Sequence, residues 1–202
     1  MGRTRNRRGE GDQLREELLD AVEELLAETG DERSLTIRAI VQRAGVTPPS
    51  LYLHFDSKDT LIREAIIRRL DALARTIDAG IEVDATPAQA IRGWCCGYLR
   101  WARDEPGGYA LLFTSRRDTR LETGGPTGIE AFRRLVEMIA AAQREGTARA
   151  GDAEQQALTV WAPLHGIATM TTQRPSLDWP SETSMIDDLL HGILDLPPTP
   201  PG

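Results

Sequence analysis

The sequence predicts an all-α protein, and three observations lead to that class. Apolar residues recur at spacings of three and four along most of the 202-residue chain, as they do on the buried face of a helix. Residues that favour helix starts and ends stand at the limits of these stretches. No segment alternates apolar and polar residues as a half-buried strand does, and no repeat of fixed period is present.

Charge is unevenly distributed along the chain. The net charge of −7 argues against unspecific coating of nucleic acid. Residues 1–9 nevertheless carry four arginines and no acid, and residues 33–58 carry four basic residues and one acid. A local basic surface on an acidic protein is typical of a sequence-selective DNA-binding protein that has an acidic second domain.

Cysteine usage and hydropathy predict a cytoplasmic protein. Cys95 and Cys96 are the only cysteines, and neighbouring cysteines rarely bridge each other, which favours a reducing compartment. No apolar run approaches transmembrane length, and no apolar segment follows the basic N-terminus to make a signal peptide. We therefore expect no membrane partner.

The N-terminal residues are predicted to form a flexible basic arm followed by a helix. Residues 1–11 are rich in Arg, Gly and Asn and have no apolar anchor, which is typical of a disordered segment. Asp12 can cap the first helix, and Gly30 ends it. The buried stripe predicted for this helix is Leu14, Leu18, Val22, Leu25 and Leu26.

Two short helices joined by a tight turn are predicted within residues 34–58. Thr36 can cap the first helix, and Gly45 stands where a left-handed residue ends it. Thr47 can cap the second helix, with Pro48 at the first helical position, where its missing N–H costs nothing. A helix, a Gly-containing turn and a second helix form the helix-turn-helix of DNA-binding proteins. The apolar residues expected to face each other are Ile37, Ile40, Val41, Ala44, Leu51 and Phe55.

A long helix is predicted from Ser57 to Ala79, and we interpret it as a rod that leaves the N-terminal module. Thr86 and Thr127 then open capping boxes, and Asp152 starts a helix that Pro163 should kink. The other predicted segments are a short apolar helix at 109–113 that Pro106 opens, a polar loop at 115–126, an amphipathic helix at 182–196 and a flexible tail at 197–202.

Two sets of residues resemble a known family. The DNA-binding domain of the TetR family of bacterial transcriptional regulators has an Ala-Gly-Val step, a Tyr-x-His-Phe recognition helix and a Ser-Lys-Asp-x-Leu opening. This chain has all three in order at 44–46, 52–55 and 57–61, and the resemblance covers roughly residues 10–70. Residues 161–166 resemble the Trp-x-x-x-His-Gly signature of one TetR C-terminal subgroup.

The resemblance implies a domain organisation. A three-helix helix-turn-helix domain at 12–56 would bind double-stranded operator DNA. A helical domain at 57–196 would bind a ligand and dimerise, with the long helix joining it to the first. The helices predicted at 152–173 and 182–196 would form the homodimer interface, and the preceding helices would enclose a pocket for a small hydrophobic effector.

The resemblance and the apolar patterning together give candidate site residues. Arg43 is not among them, since it can be an ordinary solvated residue. His165 can equally have a structural or interface role, and each aromatic residue can be part of the core. The predicted DNA contacts are Thr36, Arg38, Thr47, Pro49, Ser50, Tyr52, His54 and Lys58. The predicted effector contacts are Trp94, Tyr98, Trp101, Phe113, Met138, Trp161 and His165.

The function that follows is a DNA-binding regulator, a repressor that a small hydrophobic effector releases from its operator, with no cofactor and no metal. Two alternatives stay open: a ligand-independent architectural DNA-binding protein, and an all-α enzyme. The chain has no G-x-S-x-G, H-E-x-x-H or phosphate-loop motif and no Cys/His spacing for zinc. DNA binding that no metabolite affects would favour the architectural protein.

Overall fold

The computed structural model of the chain describes residues 10–29, 31–113 and 127–199, and the regular elements in these ranges are all helical. This confirms the predicted all-α class. A 3-10 turn, Glu32–Ser34, follows the first helix. The helices are α1 Glu10–Thr29, α2 Ile37–Arg43, α3 Pro48–Tyr52, α4 Lys58–Ala79, α5 Pro87–Asp104, α6 Pro106–Phe113, α7 Thr127–Arg144, α8 Ala153–Gln173 and α9 Glu182–Leu194.

Some predicted features fall outside the described ranges. They are the arm at 1–9, Gly30, the loop at 115–126 and the end of the tail at 200–202. The helix α7 begins at Thr127, but the Thr127 side chain lies outside the described part of the structure, so the capping box predicted there stays a prediction. None of the helices in the described ranges is both long enough and apolar enough to cross a membrane.

The chain divides into two compact units. The first is Met1–Leu70 with Glu105–Gly124, and the second is Asp71–Asp104 with Gly125–Gly202. The division falls inside α4, and α6 belongs to the first unit although α5 belongs to the second. The functional boundary predicted between residues 56 and 57 stays a prediction.

The core of the first unit forms around α1. Leu18, Val22 and Leu26 on α1 are fully buried, as the helical spacing predicts. The short helix α6 packs against α1, and a Cβ on Gly107 would lie 2.8 Å from the Ala27 Cβ. Glycine is therefore required where these two helices approach each other.

Several helix starts differ from those predicted. The first helix begins at Glu10, so Asp12 is an acid in its first turn, where the helix dipole favours negative charge. Ser57 caps α4 by accepting from the Thr60 N–H at 3.1 Å, so α4 itself begins at Lys58. By contrast, Pro106 begins α6 as predicted, because proline fits the first helical position.

Two neighbouring arginines on α4 join the helices of the first unit. Arg68 pairs with Glu16 at 2.7 Å and with Glu23 at 2.6 Å, both on α1. Arg69 pairs with Glu23 at 2.5 Å and with Glu105, just before α6, at 2.9 Å. Burial raises the pKa of Glu23, and its hydrogen bonds with Arg68 and Arg69 oppose that shift. These pairs hold α1, α4 and the start of α6 together.

In the second unit, α5 crosses the end of α4 at backbone distance. A Cβ on Gly97 would lie 2.7 Å from the Ile77 Cα, and one on Gly93 would lie 2.6 Å from the Gly80 carbonyl oxygen. Thr86 precedes α5 and forms the predicted capping box with Gln89: the Thr86 N–H donates to the Gln89 side chain at 2.8 Å, and the Gln89 N–H donates to the Thr86 hydroxyl at 3.3 Å. The capped start of α5 and its close crossing with α4 together fix where α5 lies in the second unit.

The last two helices agree in part with the prediction. Asp152 caps α8 by accepting from the N–H groups of Glu154 at 2.9 Å and Gln155 at 3.1 Å. α8 continues through Pro163 as one helix to Gln173. α9 ends at Leu194 rather than residue 196, because Asp195 adopts a left-handed conformation with φ 59°.

Residues just after α9 have defined partners on α9 and α5. The Thr199 N–H donates to Asp187 at 2.9 Å, and Arg92 donates to Asp187 at 2.8 Å and to the Pro197 carbonyl. These bonds hold the first residues of the predicted flexible tail.

Candidate nucleic-acid interface and aromatic cluster

The turn between α2 and α3 has the geometry predicted for a helix-turn-helix. The Thr36 hydroxyl accepts from the Ala39 N–H at 3.1 Å, and Gly45 has φ +67°, which favours glycine. The Val46 N–H donates to the Val41 carbonyl at 2.9 Å and closes the end of α2. α3 packs on α2, with Leu51 fully buried.

The helix α3 is shorter than the predicted Thr47–His54, since its helical residues are Pro48–Tyr52. Thr47 occupies the cap position, but its side chain makes no capping bond. Pro48 and Pro49 have no N–H to offer it, and the Ser50 N–H donates to the Thr47 carbonyl at 2.9 Å. The Thr47 hydroxyl instead lies 3.0 Å from the Ser50 hydroxyl.

Most of the predicted DNA-contact residues present accessible side chains. Thr36, Arg38, Thr47, Pro49 and Tyr52 are exposed, and Ser50, His54 and Lys58 are partly exposed. His54 differs from the others, because its Nε2 is buried and has no hydrogen-bond partner within the described ranges. That nitrogen does not face solvent. The DNA-contact role of all eight residues stays a prediction.

Some cationic side chains near α3 are held in ion pairs, which makes them less available to an anionic partner. Arg43 pairs with Glu28 at 2.5 Å and with Glu24 at 3.1 Å, and its hydrogen bond lowers the pKa of Glu28. Arg33 likewise pairs with Asp31 at 2.8 Å. Over the part of the first unit that the structure describes, the cations without an ion-pair partner are Arg38, Lys58 and Arg63.

The second unit contains an aromatic cluster formed by Trp94, Tyr98, Phe132, Trp161 and His165. Trp94 stacks on Tyr98, with ring centroids 5.6 Å apart and planes 9° apart. The Tyr98 hydroxyl lies 3.1 Å from the His165 Nδ1. The Trp161 ring centroid lies 6.4 Å from that of His165 and 6.2 Å from that of Phe132. Four of the predicted effector residues are thus brought together.

Phe132 was not predicted as a site residue. The sequence places it near the start of an amphipathic helix, where an aromatic side chain is more often core than site. Its proximity to Trp161 depends on how α7 packs against α8, and nothing local in the sequence encodes that pairing. The helix α7 also contacts α5, where the Trp94 indole N–H donates to the Ala131 carbonyl at 3.0 Å.

The remaining predicted effector residues lie elsewhere. Trp101 is buried on α5, about one turn after Tyr98. Met138 is half-buried on α7. Phe113 belongs to the first unit, where its ring centroid lies 4.8 Å from that of Tyr109. Their contact with an effector stays a prediction.

The aromatic cluster is electrically neutral. Burial lowers the pKa of His165, so its imidazole is uncharged at neutral pH. On α5, Arg100 is exposed and Arg103 pairs with Glu182 at 2.6 Å. An apolar ligand with a hydrogen-bonding group suits such a surface better than an anion does.

Two family models match the chain. One described as "Bacterial regulatory proteins, tetR family" matches residues 18–65, and one described as "Tetracyclin repressor-like, C-terminal domain" matches residues 91–195. The first covers α2 and α3, and the second covers all five residues of the aromatic cluster.

Curated relatives match over parts of their length. The HTH-type transcriptional regulator Rv0681 of Mycobacterium tuberculosis is 30% identical over 142 residues, 68% of this chain and 61% of that protein. The HTH-type transcriptional repressor KstR2 of Rhodococcus jostii is 46% identical over 59 residues, 29% of this chain and 28% of that protein. The HTH-type transcriptional activator FasR of Mycolicibacterium smegmatis is 30% identical over 111 residues, 54% of this chain and 50% of that protein. The chain therefore spans less than two thirds of each of these relatives.

Solved structures have the same fold. A TetR family transcription regulator from Marinobacter aquaeolei VT8 superposes with a TM-score of 0.72 at 15% identity, over 93% of this chain and 98% of that one. A TetR-like transcriptional regulator from Rhodococcus sp. RHA1 gives 0.69 at 18% identity, over 93% and 98%. With the C-terminal family model matching residues 91–195 and the N-terminal model matching residues 18–65, the chain belongs to the TetR family of bacterial regulatory proteins.

Proposed function

We propose that this protein is a transcriptional repressor that binds operator DNA as a homodimer and is released by a small hydrophobic effector. The observation that carries the proposal is the α2–α3 pair. Leu51 anchors α3 from its buried side and Tyr52 stays exposed. Arg38 precedes α3 and Lys58 follows it along the chain, and neither has an ion-pair partner among the described residues of the first unit. Membership of a regulator family sets the enzyme alternative aside.

In the proposed complex, α3 of each protomer enters the major groove of DNA. Two such helices on a two-fold dimer read half-sites about one helical turn apart, roughly 34–36 Å. Arg38 and Lys58 supply phosphate contacts, which fix the position of α3 on the duplex. A ligand that favours another separation shifts the population away from the DNA-bound state.

Substitution within the proposed interface tests the DNA-binding role. An operator is first selected from a random DNA pool, and binding of Tyr52→Ala and Lys58→Ala is then measured against the wild type. We expect a loss on the order of 1–3 kcal/mol for a base contact, and for the Lys58 variant a salt slope reduced by about one. If both variants bind the operator as tightly as the wild type, α3 is not the recognition helix.

The proposed dimer interface is formed by α8 and α9. Residues 155–173 contain no charged side chain, and Leu158 and Met170 on α8 are exposed. Gly166 on α8 and Gly192 on α9 are open, because a Cβ built on either meets no atom of the described residues within 4 Å. A glycine inside a helix costs roughly 0.5–1 kcal/mol relative to alanine. Close approach of a partner helix would explain why glycine stands at both positions.

Sedimentation tests this interface. Leu189→Glu places a charge on α9 and should give monomers, with a matching loss of operator affinity because one half-site binds weakly. Glu182→Gln, which alters a charge at the first residue of the same helix, serves as a control and should remain dimeric. A wild-type protein that is monomeric at micromolar concentration would contradict the proposal.

The proposed effector site is the aromatic cluster. Its stacked Trp94 and Tyr98 rings and the neutral Tyr98–His165 pair support an uncharged, hydrophobic ligand. A panel of apolar aromatic and acyl compounds can be titrated while tryptophan fluorescence and operator release are followed together. By linkage, operator DNA must weaken effector binding by the same factor. A phosphate ester as the true inducer would contradict this site assignment.

Two observations can separate the remaining alternatives. DNA binding that no compound in the panel alters would favour the ligand-independent architectural protein. The curated relatives include a protein named as a repressor and another named as an activator. A reporter placed behind the selected operator should rise in expression when the gene is deleted, and a fall would make the protein an activator.

A further inference from the structure

We propose that α3 reads its operator through the 5-methyl groups of thymine, using an exposed apolar face formed by Pro49, Tyr52 and Leu53. This inference rests on the proposed function, because it takes α3 as the element that enters the major groove. It concerns the chemistry by which bases are distinguished, which the DNA-binding role alone leaves open.

The three side chains share one face of α3. They stand at positions i, i+3 and i+4, which lie together on a helix surface, and Leu53 keeps helical angles with φ −74° and ψ −19°. Leu51 lies on the opposite side and is fully buried against α2. Tyr52 is 50% exposed and Leu53 is 80% exposed. The outward face of α3 is therefore apolar.

The recognition helix lacks the charged and amide side chains that make the bidentate base contacts. Guanine is recognised by Arg or Lys, adenine by Asn or Gln, and cytosine by Asp or Glu. Residues 47–54 contain none of these six residue types. The hydroxyls of Thr47 and Ser50 lie 3.0 Å from each other, and the His54 Nε2 is buried. The thymine methyl is the apolar group that the major groove presents, so it is the group that this face fits.

The charged residues near α3 complement this readout. Arg38 precedes α3 and Lys58 follows it in the chain, and neither has an ion-pair partner in the described part of the first unit. Phosphate contacts orient a protein but carry no sequence information, whereas apolar burial against a methyl group is specific to thymine. In this proposal, the phosphate contacts set the position of the protein on DNA, and the methyl contacts set its sequence specificity.

Replacing single thymines by deoxyuridine in the selected operator tests the proposal, because the change removes the methyl group and keeps the base pair. We expect a three- to fivefold loss of affinity at one or two positions in each half-site, about the worth of one buried carbon. Substitutions outside the half-sites should have no effect. An operator that tolerates deoxyuridine at every position, or lacks thymine in its half-sites, would overturn the proposal.

A protein–DNA mutant cycle assigns the contact. Leu53→Ala should bind the thymine operator three- to fivefold more weakly and should bind the deoxyuridine operator as the wild type does. Leu177→Ala removes an exposed leucine of the second unit and serves as the matched control, with no expected change on either DNA. A deoxyuridine effect that stays the same size in Leu53→Ala, Tyr52→Ala and Pro49→Ala would overturn the assignment to α3.

Failure of this inference differs from failure of the proposed function. If wild-type binding is tight and salt-dependent and Lys58→Ala weakens it, while deoxyuridine has no effect, only the methyl readout is wrong. If no operator can be selected at all, both are wrong. Circular dichroism of Leu53→Ala should match the wild type, because an exposed side chain contributes little to folding.

Discussion

The Tyr98 hydroxyl and the His165 Nδ1 lie 3.1 Å apart and connect α5 to α8 within the aromatic cluster. Trp94 stacks on one partner and Trp161 lies beside the other. The pair thus places the polar atoms of two side chains among aromatic rings. Because His165 is partly buried, its charge state depends on this environment.

The pH dependence of stability should reflect His165. Burial lowers its pKa in the folded protein below the usual value of 6.5, so the unfolded chain binds the proton more readily. The free energy of unfolding should therefore fall as pH drops through 6.5 towards the folded-state pKa. Urea unfolding of His165→Gln from pH 5 to 8 should have a smaller slope in this window.

The crossing of α4 and α5 should tolerate no side chain at Gly97. In Gly97→Ala the new Cβ would lie 2.7 Å from the Ile77 Cα, a backbone atom that cannot rotate away. We expect a loss of about 1–3 kcal/mol in the free energy of unfolding, typical of overpacking. Gly166→Ala is the comparison, because its Cβ meets no atom of the described residues within 4 Å. It should stabilise the helix by roughly 0.5–1 kcal/mol, the usual gain of alanine over glycine, while a close partner helix would make it dimerise more weakly. Equal unfolding midpoints for both variants would contradict the close crossing.

Two arginines near the helix-turn-helix should differ in their contribution to DNA binding. Arg43 is held by Glu24 and Glu28, whereas Arg38 has no ion-pair partner in the described part of the first unit. Arg38→Ala should weaken operator binding and reduce the salt slope by about one. Arg43→Ala should leave both nearly unchanged. The reverse order in a fluorescence anisotropy titration would mean that Arg43 leaves its glutamates when DNA binds.

The two thiols should react slowly in the folded protein. Cys95 is buried, and burial raises the pKa of its thiol and also that of Cys96. Since the thiolate is the reactive form, both should be modified far more slowly by an aromatic disulfide reagent at pH 7.5 than in denaturant. In the Cys96→Ala variant Cys95 is the remaining thiol, so the modification rate of that variant is the rate of Cys95. Rapid modification of that variant under native conditions would require α5 to open locally.

Local signals in the sequence predicted much of the fold. The caps at Thr36, Asp152 and Thr86 and the left-handed Gly45 depend on a few adjacent residues, and the structure places all of them at helix limits. The burial of Leu51 was predicted because helical spacing identifies a shared face. Interactions within one or two turns are readable from the chain itself.

Features that depend on packing between distant segments were not predicted. The contact of Gly107 with Ala27 joins residues eighty apart in sequence, and no local pattern pairs them. The same holds for Arg43, whose acidic partners lie on α1, and for Phe132 beside Trp161. Patterning finds which face of a helix is buried, but the identity of the covering element depends on the whole topology.

The position of α6 affects how the chain can be completed during synthesis and how it can be divided by engineering. The segment that packs on α1 is translated only after residues 71–104, which belong to the second unit. During translation, Ala27 and its neighbours on α1 therefore stay uncovered by α6 until Gly107 emerges from the ribosome. A gene fragment that stops at residue 56 or 70 encodes the helix-turn-helix but omits α6. Fusion partners that borrow this module need residues 105–113 to be supplied as well.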